Sequence, residues 1–193
     1  DYLNKEYNEA VYTQIDVLEY NRRKDGRVID MYDFFDHPEE YVSDFFRFAR
    51  VSDLYIAGHF YASGAPYIFT REEAKSKDFK IKVVADVSCD IDGPVASTLR
   101  ASTIADPIYG YDPQTESEVP YEDAGAIAVM AVDNLPNELP REASKGFSEN
   151  FVKFVIPSFF NGDKDGILDR ARMTHDGKLT PRYAYLQDYV DGV

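Results

Sequence analysis

Three carboxylates, a hydroxyl and a thiol crowd into seven positions at the end of an apolar run: Val83-Val84-Ala85-Asp86-Val87-Ser88-Cys89-Asp90-Ile91-Asp92-Gly93-Pro94. A carboxylate there could hold a substrate amine or order a proton transfer. A run of this kind, closed by turn residues, reads as a buried strand of a parallel sheet. In open α/β sheets the carboxyl ends of the strands line the ligand crevice, which makes Asp90 the leading candidate. The pattern by itself equally allows Asp86 and Asp90 to cap or turn the chain. Cys89 has no histidine near it in sequence, so a packed strand-end thiol is the reading preferred over a nucleophile.

Two other segments share this grammar. Gly125-Ala126-Ile127-Ala128-Val129-Met130-Ala131-Val132 is small and apolar and ends in Asp133-Asn134-Leu135-Pro136. Asp53-Leu54-Tyr55-Ile56-Ala57-Gly58-His59-Phe60 runs into an aromatic loop that contains glycine. Three such strands, neighbours in one mainly parallel sheet with their ends on one edge, would build a single crevice.

Other chemistries find little support. His37, His59 and His175 have no metal-ligand spacing among themselves or with Cys89, so no metal is expected. His59 follows a strand end within reach of a ligand, although a surface histidine is the commoner outcome. Asn161-Gly162-Asp163-Lys164-Asp165-Gly166 imitates half of a calcium loop, but position 12 would be Arg172, which supplies no carboxylate. A surface turn is expected there. Neither a nucleophile elbow, nor a phosphate loop, nor a Gly-x-Gly-x-x-Gly fingerprint occurs, and the eleven glycines are scattered.

Composition narrows the class. The 193 residues carry a net charge of −14, which opposes nucleic-acid or anionic-membrane partners. Hydrophobic content of 44% and aromatic content of 15% suit a packed domain. No apolar run approaches membrane-spanning length and no signal-peptide pattern is evident. With a single cysteine, a reducing cytoplasmic setting is expected.

The elements that must position these residues alternate. Residues 1–25 carry Leu3, Tyr7, Ala10, Val11, Ile15 and Leu18 at roughly helical spacing, predicting a helix or a helix plus a strand. Asp36-His37-Pro38-Glu39-Glu40 reads as a helix start with Asp36 as N-cap, and that helix is expected to run through Tyr41, Phe45 and Phe48 to about Val51. Thr70 and Glu73 stand at capping-box spacing ahead of another short helix. Helix–strand alternation argues for βαβ units. Residues 94–124 break the rhythm with four prolines, and a hairpin is expected around Tyr109 to Asp112. From Glu138 to Phe160, Leu139, Ala143, Phe147, Phe151, Phe154 and Val155 mark one face of a long amphipathic helix.

Beside this reading stands a resemblance. Ala85 to Gly93, Thr103-Ile104-Ala105-Asp106-Pro107 and above all Val132-Asp133-Asn134-Leu135-Pro136-Asn137-Glu138-Leu139-Pro140-Arg141-Glu142-Ala143-Ser144 resemble the lysine–2-oxoglutarate reductase and saccharopine dehydrogenase group. Gly177-Lys178-Leu179-Thr180-Pro181-Arg182-Tyr183 and His37-Pro38-Glu39-Glu40-Tyr41 add to it, so the likeness covers about residues 10–190. More distantly the chain is similar to alanine dehydrogenase and transhydrogenase. The resemblance implies the C-terminal part of an NAD(P)-dependent amino-acid oxidoreductase, with NAD or NADP as cofactor and a small amino-acid substrate as partner. It implies an α/β fold, a partial Rossmann-type and mainly parallel sheet, in residues 1–136, and a returning helix with a tail of the substrate domain in 137–193. Homo-oligomerisation is compatible with it. The chain begins at Asp1, and the resemblance would place the glycine fingerprint, a catalytic lysine and a histidine upstream in the same protein, leaving these residues inactive by themselves.

Carried over by position, Asp90 would be the active-site aspartate, and Ser88 and Cys89 would flank the substrate with it. Ala57, Gly58, Val132, Asp133, Asn134 and Leu135 would face the dinucleotide. Two departures bear on the substrate. Relatives have paired glycines where this chain has Asp92-Gly93, and the lysine-reductase type carries a glutamate where this chain has Ala96. An alanine-dehydrogenase-like enzyme and a non-catalytic regulatory domain of the same fold are the competing expectations.

Overall fold

A computed structural model describes residues 2–61 and 64–192. It divides into two compact units, Asp1–Leu135 and Pro136–Val193.

The first unit opens with irregular backbone and then a single helical turn, α1 (Val17–Tyr20), which leads straight into strand β1 (Asn21–Arg23). Helical spacing before Ile15 thus yields no helix. Helix α2 spans Met31–Asp36 with Asp30 as its N-cap, so Asp36 ends a helix rather than starting one. The expected helix from Asp36 to Val51 is absent. Pro38–Glu40 forms a 3-10 turn, Tyr41–Ser43 forms strand β2 against β1, and only Phe46–Ala49 (α3) is helical. Tertiary contacts override local propensity at this point. The buried Tyr41 ring packs edge-on against Phe34, its hydroxyl bonds Asp33, and Arg23 lies over its face. The Arg23 guanidinium is itself ringed by Asp25, Asp33 and Glu40.

The main sheet follows: β3 (Leu54–Ala57), β4 (Val83–Asp86), β5 (Ile108–Asp112), β6 (Ser117–Val119) and β7 (Ile127–Met130), in spatial order β3-β4-β7-β5-β6. Strands β3, β4 and β7 run parallel, while the β5–β6 hairpin joins antiparallel at the β7 edge. This is an α/β fold with a mostly parallel mixed sheet, consistent with a partial Rossmann-like domain. The hairpin turn lies at residues 113–116, just past the Tyr109–Asp112 segment, which is strand. Between β3 and β4, helix α4 (Arg71–Ala74) starts at Thr70 with both halves of the capping box in place.

The core lies against one face of this sheet: Phe45, Phe48, Phe69, Val84, Tyr109, Tyr111 and Val129 form one buried cluster. On the other face Leu54, Ile56, Val83 and Ile108 are exposed, Ile56 by 64%. The three apolar runs are therefore not buried on both sides. They alternate in burial because, among the described residues, only one face of the sheet is covered by the core.

The second unit begins with a 3-10 turn and helix α5 (Pro140–Asn150). This continues through a π-helical turn, Phe151–Val155, into α6 (Ile156–Phe160). The long helix predicted from the apolar spacing is thus present, with one widened turn. Asn161 to Gly166 is a turn: the Asp163 carboxylate accepts the backbone N–H groups of Leu168 and Asp169 and caps α7 (Ile167–Ala171). A small hairpin, β8 (Thr174–His175) with β9 (Lys178–Leu179), and a last helix, α8 (Gln187–Asp191), complete the unit. Among the described residues no helix is long and apolar enough to cross a membrane.

Candidate functional site

Register brings the three strand ends together. Ala57 lies opposite Asp86 on β3 and β4, and Ala85 lies opposite Met130 on β4 and β7. The segments that follow, at Gly58, Ser88 and Val132, consequently leave the sheet on one edge, as a shared crevice requires.

The edge is stitched by the polar residues that sequence put there. Ser88 Oγ accepts the His59 backbone N–H at 3.1 Å and donates to the His59 carbonyl at 2.9 Å, joining the β3 and β4 exits. Cys89 Sγ donates to the Ala131 carbonyl at 3.1 Å, joining the β4 and β7 exits. Ser102 closes the far side. Its N–H donates to the Ala131 carbonyl at 2.9 Å, and its hydroxyl accepts from the Ala131 N–H.

The two leading aspartates have opposite fates. Asp86 is fully buried; its carboxylate accepts from Thr98 Oγ1 at 2.6 Å and from the Cys89 N–H at 3.0 Å. It is a structural group that holds the turn. Asp90 is half-buried, and no hydrogen bond or ion pair among the described residues engages its carboxylate. Only its backbone carbonyl is used, by the Gly93 N–H. Gly93 is required there: a Cβ would lie 2.7 Å from both the Cβ and the carbonyl oxygen of Asp90. Asp92, two residues on, is tied to Arg71 at 2.9 Å.

Electrostatics sort the remaining groups. Burial raises the Cys89 thiol above its ordinary range, and the negative charges of Asp86, Asp133 and Asp90 raise it further. A thiol held protonated is a poor nucleophile. Burial lowers His59, with Asp86 and Asp90 opposing, so the neutral imidazole is favoured. Its Nδ1 lies 3.4 Å from Ser88 Oγ, and its buried Nε2 has no partner among the described residues. His59 is the group that sequence reasoning undervalued. The signal was its position one residue beyond Gly58 at a strand exit.

The positions matched to a dinucleotide divide by accessibility. Ala57 and Val132 are buried in or beside the core, and Leu135 is half-buried. Gly58, Asp133 and Asn134 are exposed, and a Cβ on Gly58 would meet nothing within 4 Å. That open backbone suits close approach of a flat or phosphorylated ligand. Among the described residues no cluster of histidine, cysteine and carboxylates could hold a metal ion.

No protein-family model matches the chain. Curated relatives do. An alpha-aminoadipic semialdehyde synthase of Arabidopsis thaliana is 25% identical over 184 residues, covering 92% of this chain and 17% of that protein. A mitochondrial alpha-aminoadipic semialdehyde synthase of Rattus norvegicus is 24% identical over 192 residues, covering 86% and 21%. The saccharopine dehydrogenase [NAD(+), L-lysine-forming] of Neurospora crassa is 27% identical over 131 residues, covering 66% and 33%. These relatives support a saccharopine dehydrogenase-like family for the chain.

The chain spans about a fifth of the length of the alpha-aminoadipic semialdehyde synthases it matches. The Neurospora relative is named for NAD(+), and the rat relative for the mitochondrion.

Proposed function

We propose that these residues supply the strand-end half of the active site of an NAD(P)-dependent amino-acid oxidoreductase of saccharopine-forming or saccharopine-cleaving type. The observation that carries this reading is the division of labour at the sheet edge. Asp86, Ser88 and Cys89 are consumed in holding the turn, whereas the Asp90 carboxylate is presented with no partner among the described residues. Asp90 would hold the substrate amine or order its proton. Gly58, Asp133 and Asn134 would meet the dinucleotide, with Ala57, Val132 and Leu135 shaping the surface beneath. The chemistry that a bound nicotinamide dinucleotide supplies is hydride transfer at a C–N bond.

The test is Asp90→Asn beside Asp92→Asn in the full gene product, assayed with saccharopine and with lysine plus 2-oxoglutarate. Removing the Asp90 charge is expected to lower turnover by ~10²-fold or more, the scale of a positioned acid–base group. Asp92→Asn should be much milder. Equal, small effects would make Asp90 a turn residue. Turnover with alanine alone would favour the alanine-dehydrogenase-like alternative. The 193 residues on their own should bind NAD(H) weakly or not at all, since their sequence holds no glycine-rich phosphate loop.

A further inference from the structure

The second unit carries a cavity of about 360 Å³ lined by Asp169, Arg170, Arg172, His175, Thr180 and Arg182, with Pro181. Three arginines line it with a single lining carboxylate, Asp169, in a chain that has 35 acidic and 21 basic residues; the fourth basic group, His175, stands 3.6 Å from the Asp176 carboxylate at the rim. Chance placement in so acidic a chain would put carboxylates beside these arginines. Yet no ion pair among the described residues engages Arg170, Arg172 or Arg182. Among the described residues, the one bond made by a guanidinium of the three is from Arg170 Nη1 to the Asp165 carbonyl, at 2.6 Å.

The backbone that carries these side chains is cross-tied. Thr180 Oγ1 donates to the Arg172 carbonyl at 2.7 Å, and the Thr180 N–H donates to the Met173 carbonyl at 2.9 Å. Tyr183 OH donates to the Arg170 carbonyl at 3.2 Å. The β8–β9 hairpin turns through Asp176 and Gly177, both at positive φ, and so sets His175 beside the arginines. Each tie joins the segment bearing Arg182 to the segment bearing Arg170 and Arg172. The backbone segments that carry the cationic groups are thereby held together before any ligand arrives, which reduces the ordering cost of binding.

We propose that this cavity binds the oxyanion head of a small molecule, a carboxylate or a phosphate, through the guanidiniums of Arg172 and Arg182 with Arg170 in support. Planar guanidinium forks match both heads bidentately.

The test is titration of the 193-residue chain at low salt with inorganic phosphate and, separately, with glutarate, followed by arginine side-chain NMR and calorimetry. Saturable shifts of Arg172 and Arg182 with phosphate alone, or with glutarate alone, would support the proposal and identify the head group. Arg172→Ala or Arg182→Ala should weaken binding by about 10-fold or more, the scale of a charge-assisted hydrogen bond. Arg172→Lys should fall between, keeping the charge and losing the fork. Arg141→Ala, a change of an exposed arginine on α5 outside the cavity, should leave affinity unchanged. All of these side chains are exposed, so circular dichroism should show the fold retained. Linear, unsaturable shifts with both probes, or an equal loss in Arg141→Ala, would overturn the proposal.

Discussion

Within Asp1–Leu135, Phe45, Phe69, Val84, Tyr111 and Val129 are sealed in one cluster; within Pro136–Val193, Ser158 is the only buried residue among those described. The second unit is nonetheless well formed locally. Its helix has proline in the first turn, an intrahelical stack of Phe147 on Phe151, and a carboxylate cap at the start of α7. The difference shows how far each level of organisation reaches. Hydrogen bonds and caps suffice to shape a helix, but burial of apolar area supplies most of the free energy of folding. Leu139, Phe147, Phe154 and Phe159 leave an apolar stripe in water, whereas the first unit places its aromatics inside. The same contrast holds at the sheet, where one face carries the core and the other exposes Leu54 and Ile56.

The contrast is sharpest in a pair of truncations. Phe69 is fully buried and packs on Phe45 and Phe79, so Phe69→Ala should cost about 3–5 kcal/mol. Phe147 is 72% exposed, and Phe147→Ala should change stability by less than about 0.5 kcal/mol. Urea denaturation of both variants measures the difference, and similar losses would break the comparison.

Asp86→Ala should come next. It strands the Thr98 hydroxyl and the Cys89 N–H in a buried site, at about 3 kcal/mol. Asp90→Ala in the same assay should sit near wild type. If the two aspartates destabilise equally, Asp90 belongs to the frame and not to the crevice. Gly93→Ala should cost about 1–3 kcal/mol, because the new methyl meets Asp90 backbone and Cβ at contact distances that require a shift. Loss of activity disproportionate to that cost would show that the turn aims Asp90.

The smallest expected effect is a pH dependence from His59. Burial lowers its folded-state pKa beneath the ordinary value near 6.5. Its contribution is therefore complete above that value, where both states are neutral, and declines as pH falls toward the lowered folded pKa, because the unfolded chain takes up the proton first. His59→Gln should flatten the fall in melting temperature between about pH 7.5 and pH 5.5. An unchanged slope would assign the fall to other groups.

Several of these features were legible before any coordinates. Glycine and proline stops after each apolar run marked the strand ends, and Thr70 with Glu73 marked a helix start, because those signals act over three or four residues. The segment from Asp36 to Val51 was misread for the converse reason. Its proline and acids do satisfy a helix start locally, but Tyr41 gains more by pairing as strand and packing on Phe34. The sequence put Asp90 ahead as the site candidate but left a turn role equally open to Asp86 and Asp90, since both follow the same apolar run. Thr98, twelve residues away along the chain, separates them by bonding one and not the other.

Residue order by itself therefore determined the three parallel strands, where they stop and which polar groups emerge there, together with the long helix after Pro136. All of these rest on periodicity and on local backbone preference. Only the tertiary structure decided which polar groups the edge consumes and which it leaves free, that Cys89 and Ser88 act as ties, that His59 Nε2 is buried without a partner among the described residues, and that three arginines line one cavity. Each of those outcomes depends on a partner brought from elsewhere in the chain, and a partner's position in space is a property of packing.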